Sequence, residues 1–327
     1  MQKDKFVICV AGAYGKSTTT SMIAQILSDA GFDPTAEIGA KVIGWKSNFK
    51  VGNSRYYVCE ADEYNDNFLN YHPDLAIILN VAWDHPDFFK TKQSVFESYK
   101  KFVGNIKSGG TLIIGKDPDL AKLAKGRDDI KVIRVKDFGK YKLKMIGDFR
   151  KINADAAVTA AQILGIDAQL AKKSVQNFAG VGRRLEYKGE IGKMKFYDDY
   201  AVQPHTVLAT SNALKDKYMD KKVLLVLEPH TFSRINTFFD DYIKNLKSSK
   251  VDRIFICDVY AAREKGDVKD LSQKLAQKVG QKAKYTGSIS QTASLIRKGI
   301  KDFDIVCSMG AGDSYKLYDL IKQWNSK

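Results

Sequence analysis

A short glycine-containing turn between an apolar run and an amphipathic segment is the feature that most constrains how this chain folds. The run G-A-Y-G-K-S-T occupies residues 12–18, after the apolar residues 6–10 and at the start of a predicted helix over 16–30. Glycine lets the backbone approach a phosphate oxyanion, and the first N–H groups of a helix lack helical partners. Lys16 adds an ammonium for the β- and γ-phosphates, and Ser17 a hydroxyl ligand for Mg²⁺.

This run is a short form of the phosphate-binding loop, because Val10 stands where the eight-residue pattern has its first glycine. The alternative is an ordinary connection between a strand and a helix. The flanking strand and helix patterns both fit, so the sequence favours a nucleotide site.

The first half of the chain alternates apolar runs with amphipathic segments. Continuous apolar runs are typical of strands that are buried on both faces of a parallel sheet. We predict strands at 6–10, 56–60, 75–81, 111–114 and 132–135, and helices at 16–30, 93–106, 153–164 and 166–177. The flexible G-V-G at 180–182 is then the best candidate for a domain boundary.

The second half repeats this alternation. We predict strands at 195–199, 223–227, 253–257 and 304–308, and helices at 204–214, 236–246, 270–277, 290–298 and 313–324. The sequence therefore predicts an α/β protein of two domains. Residues 1–181 form a phosphate-loop domain with a mostly parallel sheet, and residues 182–327 form a Rossmann-like α/β domain.

Composition excludes several classes of protein. With 44% hydrophobic and 28% charged residues, the chain is typical of globular proteins, and its apolar runs are far shorter than the roughly 18 residues that span a bilayer. The N-terminus lacks the layout of a signal peptide, so we expect a cytoplasmic protein without a membrane partner.

The net charge of +15 comes from lysines scattered among acidic residues, which argues against a nucleic-acid partner. The four cysteines lie in apolar runs without a C-x-x-C pair, which favours buried thiols.

Polar side chains follow two predicted strands of the first domain. Glu60 ends one strand, and His85 lies just beyond the end of another. The carboxyl ends of parallel strands lie at one edge of a sheet, where ligands bind in open α/β folds. Ser17 and Glu60 are therefore candidate ligands for a Mg²⁺ ion beside nucleotide phosphates, and His85 could complete a metal or a phosphate site. Taken alone, such residues are more often a solvated loop charge or a hydrogen-bonded core histidine, but three of them at one sheet edge favour the joint site.

Every predicted strand of the second domain also ends in a polar cluster. These clusters are Asp198-Asp199-Tyr200, Glu228-Pro229-His230 with Arg234, Asp258-Val259-Tyr260, and Gly310-Ala311-Gly312-Asp313. Arg183 and Arg184 precede the first of them, and guanidinium groups can neutralise a phosphoryl group during transfer. This arrangement predicts a cleft with nucleotide on one side and an acceptor substrate on the other.

Taken together, the motifs resemble those of the Mur ligase family over essentially the whole chain. The matching motifs are G-x-x-G-K-[ST]-[ST] at 12–18, E-A-D-E at 60–63, N-x-x-x-D-H at 80–85, R-R-x-E at 183–186, D-D-Y-A at 198–201, P-H-T-x-S-R at 229–234, D-V-Y-A-A at 258–262 and G-A-G at 310–312. Eight modest motifs in the same order are hard to explain by chance.

The resemblance implies ATP-dependent amide ligation, with Mg²⁺, in peptidoglycan precursor synthesis or recycling. A carboxylate would be phosphorylated by ATP, and an amino acid or peptide would then displace phosphate from the acyl phosphate. The residues implied in catalysis are Lys16, Glu60, His85, Arg184 and Asp198. Those implied in nucleotide binding are Gly12, Ala13, Gly15, Lys16, Ser17, Thr18, Asn153, Arg183, His230 and Arg234. The metal ligands implied are Ser17, Glu60 and His85, and Asp258 and Tyr260 would lie toward the amine.

The chain also departs from the family pattern. The UDP-binding domain that normally comes first is missing, so we expect either a separate UDP-binding domain or partner chain in trans, or a substrate without UDP. Phe149-Arg150 and Val202-Gln203 replace H-N and H-H pairs. These changes motivate an alternative function, a catalytically altered nucleotide-dependent binding or regulatory subunit, for example of an amidotransferase-like complex. Lys100 lies at a spacing that would suit a carbamylated metal ligand.

Overall fold

The computed structural model describes residues 3–299 and 302–323. The chain divides between Val181 and Gly182 into two compact units, each of which is an α/β structure. No helix in these described ranges is long and apolar enough to cross a bilayer.

The first unit contains eleven helices and strands within the described part of the chain. In chain order they are β1 (Phe6–Ala11), α1 (Lys16–Asp29), β2 (Thr35–Val42), β3 (Ser47–Lys50), β4 (Tyr56–Glu60), β5 (Leu75–Ile78), α2 (Lys92–Gly104), β6 (Thr111–Ile114), β7 (Lys131–Arg134), α3 (Arg150–Ile163) and α4 (Ala168–Asn177). Two 3₁₀ segments, Tyr64–Asn70 and Pro118–Ala124, lie in the connections after β4 and β6.

The strands of this unit form one sheet in the order β3-β2-β4-β1-β5-β6-β7, and all neighbours are parallel except β2 and β3. Val10 pairs with Glu60, and Ala11 pairs with Ile78, so β1, β4 and β5 end at the same level. The loops that follow them therefore open at one edge of the sheet, which is where ligands bind in such folds.

Two cores cover the two faces of this sheet. Ile8 and Val10 of β1 face α1, α3 and α4, whereas Val7 and Cys9 face the other core with α2. Successive residues of a strand point to opposite faces, so a strand covered on both sides must be apolar throughout. This explains the continuous apolar runs of the sequence and confirms the prediction of a mostly parallel α/β fold.

The second unit has its own sheet. Its elements are β8 (Arg184–Ile191), β9 (Met194–Asp199), α5 (Pro204–Lys217), β10 (Val223–Leu227), α6 (Phe232–Thr237), α7 (Phe239–Ser248), β11 (Arg253–Cys257), α8 (Asp270–Val279), β12 (Ala283–Gly287), α9 (Ile289–Lys298), β13 (Ile305–Met309) and α10 (Leu317–Lys322). The strand order is β12-β11-β10-β13-β9-β8, with only β8 and β9 antiparallel among the described strands.

The central strands of this second sheet also end together. Leu227 pairs with both Ile256 and Met309, and Met309 pairs with Asp199. The polar residues that follow β9, β10, β11 and β13 therefore share one sheet edge, as the sequence predicts.

The structure corrects several predicted elements. Strands β2, β3, β8 and β12 are not in the prediction, because charged and small residues interrupt their apolar patterns. The helix predicted over 236–246 is two helices, since Phe238 leaves helical geometry with φ −113° and ψ 24°. The helix predicted over 313–324 begins as a 3₁₀ segment, Asp313–Lys316, and its last residue, Trp324, lies outside the described residues.

Candidate active site

The turn between β1 and α1 has the geometry of a phosphate-binding loop. Gly15 is the residue before the first turn of α1 and has φ +91°, where a side chain would be strained. A Cβ at Gly15 would lie 2.6 Å from Asn153 Oδ1, so the packing also excludes one. The loop is fastened at Tyr14, whose N–H donates to Asn80 Oδ1 (3.2 Å) and whose carbonyl accepts from Asn80 Nδ2 (2.9 Å).

The Lys16 ammonium is held by two carboxylates at the edge of the first sheet. Its Nζ lies 2.7 Å from Glu63 Oε2 and 3.4 Å from Asp62 Oδ1. Burial opposes the charge of Lys16, but the neighbouring carboxylates outweigh burial and raise its pKa. Burial also raises the pKa of Glu63 in spite of the Lys16 charge. A cation is thus fixed at the start of α1, beside N–H groups that have no helical partner.

Ser17 and Glu60 form a second polar pair beside this lysine. The Ser17 hydroxyl donates to Glu60 Oε1 (3.0 Å), and the N–H of Gly39 donates to Glu60 Oε2 (2.7 Å). A hydroxyl and a carboxylate are both ligand types that Mg²⁺ accepts. The donor set at this pair therefore fits the metal that the sequence predicts.

His85 lies with the acidic residues that surround Lys16. One ligand atom each from Asp62, Glu63 and His85 lies within 4.8 Å of the other two, which makes the three side chains a candidate metal cluster. The His85 N–H donates to Asp84 Oδ1 (2.6 Å), and its ring packs on Tyr64. Asp62 and Glu63 are not among our predicted site residues, although they stand in the E-A-D-E motif.

The other predicted residues of this unit surround the loop. Thr18 is buried, and its Oγ1 lies 3.4 Å from Nη1 of Arg150, a residue that is 5% exposed at the start of α3. Ala13 is part of the loop itself. Lys100 is exposed on α2. Arg150 is a further candidate nucleotide contact, although the sequence identifies it only as a departure from the family pattern.

Arg183 is committed to contacts within the second unit. Its Nε donates to Asp198 Oδ2 (3.1 Å), and its Nη2 donates to Gly310 O (2.6 Å). The guanidinium carbon lies 5.0 Å from the ring centres of both Tyr200 and Tyr315. The Arg183 guanidinium is therefore held by the second unit itself, where it positions the loop after β13.

Arg184 and Asp198 differ in their surroundings. The guanidinium carbon of Arg184 lies 5.0 Å from the ring centre of Tyr200, a ring that Arg183 also contacts. Asp198 is fully buried and also accepts from Ser308 Oγ (3.0 Å). Burial raises the pKa of Asp198, and the charge of Arg183 partly offsets this effect.

The predicted residues after β10 and β11 lie side by side. The Arg234 guanidinium donates to Nδ1 of His230 (2.7 Å), and the His230 ring stacks on Tyr260 with 5.8 Å between ring centres. Asp258 accepts a hydrogen bond from the hydroxyl of Tyr285 (2.5 Å). The structure thus brings the predicted nucleotide-side and amine-side residues of this unit to one edge of its sheet.

One titratable residue at this edge belongs to a predicted polar cluster but has no role among our predicted site residues. Glu228 follows β10 directly, is 5% exposed, and accepts a hydrogen bond from the N–H of Ser314 (3.0 Å). Burial raises its pKa to about 7. Its position before P-H-T is the signal in the sequence that could have identified it.

Comparison with known proteins agrees with this geometry. The Mur ligase middle domain matches residues 10–144, and the glutamate ligase domain of Mur ligases matches residues 183–312. The UDP-N-acetylmuramate–L-alanine ligase of Caldanaerobacter subterraneus is 33% identical over 360 aligned residues, which cover 100% of this chain and 77% of that protein. The ligase of the same name from Caldicellulosiruptor saccharolyticus is 36% identical, covering 98% and 77%.

The chain belongs to the Mur ligase family. Mur ligases use ATP, typically with Mg²⁺, and form C–N bonds.

Solved structures show the same fold at lower identity. The UDP-N-acetylmuramate-alanine ligase MurC of Thermotoga maritima has a TM-score of 0.77 at 20% identity, covering 99% of this chain and 76% of that chain. The folylpolyglutamate synthase of Mycobacterium tuberculosis, solved with ADP and AMPPCP, has a TM-score of 0.78 at 11% identity, covering 100% and 92%. The two domain families matched in sequence, over residues 10–144 and 183–312, include the polar strand ends of the first and second unit, respectively.

Proposed function

We propose that this Mur ligase joins a carboxylate to an amine with consumption of ATP, through an acyl phosphate. The observation that carries the proposal is the phosphate loop, whose lysine, hydroxyl and neighbouring carboxylates are gathered at the edge of the first sheet. Phosphoryl transfer needs positioning and charge neutralisation more than covalent chemistry from the protein. The family relationship supplies the reaction class.

In this proposal the loop at residues 12–18 holds the phosphates of ATP. Lys16 contacts the β- and γ-phosphates, and its present carboxylate partners keep it charged and in place. Ser17, Glu60 and His85 serve the metal in this proposal. Ser17 and Glu60 are paired with each other, whereas His85 lies with Asp62 and Glu63, which are further candidate ligands. Bound Mg²⁺ would neutralise charge on the phosphate oxygens. Asn153 and Arg150 lie close enough to the loop to contact the nucleotide.

The second unit supplies arginine and carboxylate groups at its sheet edge. Because Arg183 already pairs with Asp198 and the loop after β13, we assign the phosphoryl contact to Arg184. Arg183 and Asp198 then keep the surrounding backbone in place. His230 and Arg234 remain candidate nucleotide contacts, and Asp258 and Tyr260 remain candidates for the amine side.

The relatives' names suggest the substrates. We propose that the acid is a muramoyl compound such as UDP-N-acetylmuramate, that the amine is an amino acid such as L-alanine or a peptide, and that the reaction takes place in the cytoplasm. Recognition of a UDP group would come from a separate UDP-binding domain or partner chain.

The test is phosphate release from ATP and Mg²⁺ with every combination of acid and amine. We expect release only when both are present, together with an amide product identified by mass. Lys16→Ala should abolish it, whereas Lys122→Ala, which removes an exposed lysine paired with Asp119, should not. Phosphate release that ignores both substrates would refute the ligase proposal.

The alternative, a binding or regulatory subunit, predicts ATP binding without turnover. The altered pairs Phe149-Arg150 and Val202-Gln203 are the observation that favours this alternative. No contact within the described residues favours it, and the same assay separates the two functions.

A further inference from the structure

A carboxylate that the proposed mechanism does not use lies among the strand ends of the second unit. Glu228 follows β10, which pairs with β11 on one side and β13 on the other. It therefore occupies the middle of the edge where the predicted amine-side residues lie. Its side chain is 5% exposed, and a hydrogen bond from the backbone N–H of Ser314 holds Oε2.

Two glycines leave the space in which this carboxylate sits. A Cβ at Gly310 would lie 2.9 Å from Glu228 Cβ, and a Cβ at Gly312 would lie 2.7 Å from Glu228 Oε2. The same Cβ at Gly312 would lie 2.2 Å from Cγ of Tyr260, so the ring of Tyr260 and the carboxylate of Glu228 flank one point of the loop. Tyr260 is 38% exposed, so this point borders solvent.

The charges around Glu228 leave its negative charge poorly compensated. No ion pair links Glu228 to a Lys, Arg or His of the second unit within its described residues, 182–299 and 302–323, and the guanidinium of Arg183 is directed at Asp198 and Gly310. Asp313, on the loop after β13, adds a second negative charge nearby, and the Cys257 thiol at the end of β11 is buried. A buried anion in such surroundings attracts a cation.

We propose that Glu228 binds the ammonium group of the incoming amine and accepts its proton. This inference rests on the proposed ligase function, since only a ligase of this type has an amine to activate. An amine is almost fully protonated near neutral pH and cannot attack a carbonyl carbon in that form.

The step balances as follows. The Glu228 carboxylate takes one proton from R–NH₃⁺, which leaves the neutral amine with its lone pair. The nitrogen forms a bond to the acyl carbon of the acyl phosphate, and the bond from that carbon to the phosphate oxygen breaks. The departing phosphate keeps the electron pair and takes the second proton from nitrogen, and Glu228 releases its proton to solvent.

The acidity of Glu228 suits this role. Burial raises its pKa to about 7, the hydrogen bond from Ser314 and the charge of Arg183 lower it, and the charge of Asp313 raises it. A general base works best when its pKa lies near the operating pH. An ordinary exposed glutamate would be a much weaker base.

The decisive experiment compares two nucleophiles with the wild-type chain and with Glu228→Gln. The acids are UDP-N-acetylmuramate and N-acetylmuramate, which carries no UDP group for a separate domain to recognise. L-alanine needs a base, whereas hydroxylamine is largely unprotonated at neutral pH and traps the acyl phosphate as a hydroxamate. We expect Glu228→Gln to lower kcat with L-alanine by about 100-fold and to leave hydroxamate formation unchanged. Equal loss of both products would mean a structural role, and loss of neither would also overturn the proposal.

A pH series gives an independent readout. In Glu228→Gln only amine that is already neutral in solution can react, so its rate with L-alanine should rise about tenfold per pH unit. The wild-type rate should level off above the pKa of Glu228, and parallel profiles would refute the assignment. Glu264→Gln is the matched control, because Glu264 lies on the loop after the neighbouring strand β11 and is bonded to Ser233, and it should behave as wild type.

Failure of the ligase function itself would look different. A wild-type chain that forms neither the amide nor the hydroxamate with either acid would refute the proposed function. Loss confined to Glu228→Gln would bear on this residue alone, and the thermal unfolding temperature of each variant shows whether it is folded.

Discussion

Replacing Lys16 by methionine should destabilise the first unit in a strongly pH-dependent manner. The Lys16 side chain is 13% exposed, and its ammonium lies 2.7 Å from Oε2 of Glu63, whose side chain is 3% exposed. Without it, Glu63 would be a buried carboxylate with no cation beside it, an arrangement that strongly disfavours the ionised form. The other partner, Asp62, is 48% exposed and can return to water.

The magnitude follows from the cost of protonating Glu63. The pKa of this carboxyl is about 4.5 when it is unperturbed, as in the unfolded chain. The buried group can avoid its charge by taking up a proton, which limits the loss of stability to about 1.4 kcal/mol per pH unit above that value. The limit is then about 4 kcal/mol at pH 7.5 and about 1.4 kcal/mol at pH 5.5. The sign is fixed because the folded-state pKa is raised, so stability falls as pH rises.

Urea unfolding followed by tryptophan fluorescence measures this effect, because Trp45 and Trp83 both belong to the first unit. The double variant Lys16→Met with Glu63→Gln should recover most of the loss at pH 7.5 and show little pH dependence. Lys122→Met is the surface control, since Lys122 is 69% exposed. An equal loss for Lys16→Met at both pH values, or no recovery in the double variant, would show that the reasoning about the buried charge is wrong.

Three further variants test other parts of the site. Gly15→Ala should cost about 2–4 kcal/mol of stability, from left-handed backbone strain and the clash with Asn153, and should weaken ATP binding in calorimetry. Gly165→Ala, which has φ +79° but open space around it, should cost only the strain, and equal costs would contradict the packing argument. Ser17→Ala should raise the Mg²⁺ concentration for half-maximal activity by about tenfold, and an unchanged requirement would exclude this hydroxyl from the metal site. Arg183→Ala should cost about 3–5 kcal/mol in urea unfolding by leaving a buried carboxylate unpaired, and a loss below 1 kcal/mol would contradict the geometry described here.

The local sequence predicted the parts of the fold that depend on continuous burial. The strands at 56–60, 111–114, 223–227 and 253–257 agree with β4, β6, β10 and β11 to the residue. The edge strands β3, β8 and β12 could not be found in this way, because a strand with one exposed face or edge has no continuous apolar run.

The candidate site was predictable as a set of strand ends but not as a set of contacts. Glycine spacing identifies the phosphate loop, since the required backbone conformation and close packing are local demands. Side-chain partners are different, because they depend on how each loop turns after its strand. The segment after Glu63 is an example, because Asn65 and Asp66 both have φ +55° there. This left-handed turn of the backbone is not evident from the sequence pattern.

The sequence by itself determined that this chain forms two α/β units with a phosphate loop and polar residues at the strand ends, because hydrophobic periodicity and glycine positions are written along the chain. Only the tertiary structure decided that Lys16 pairs with Glu63 and Asp62 while Glu60 bonds Ser17. It also decided that Glu228 is buried with no ion-pair partner among the described residues of its own unit. These outcomes depend on which side chains converge from strands far apart in sequence, and burial and charge compensation exist only after that convergence.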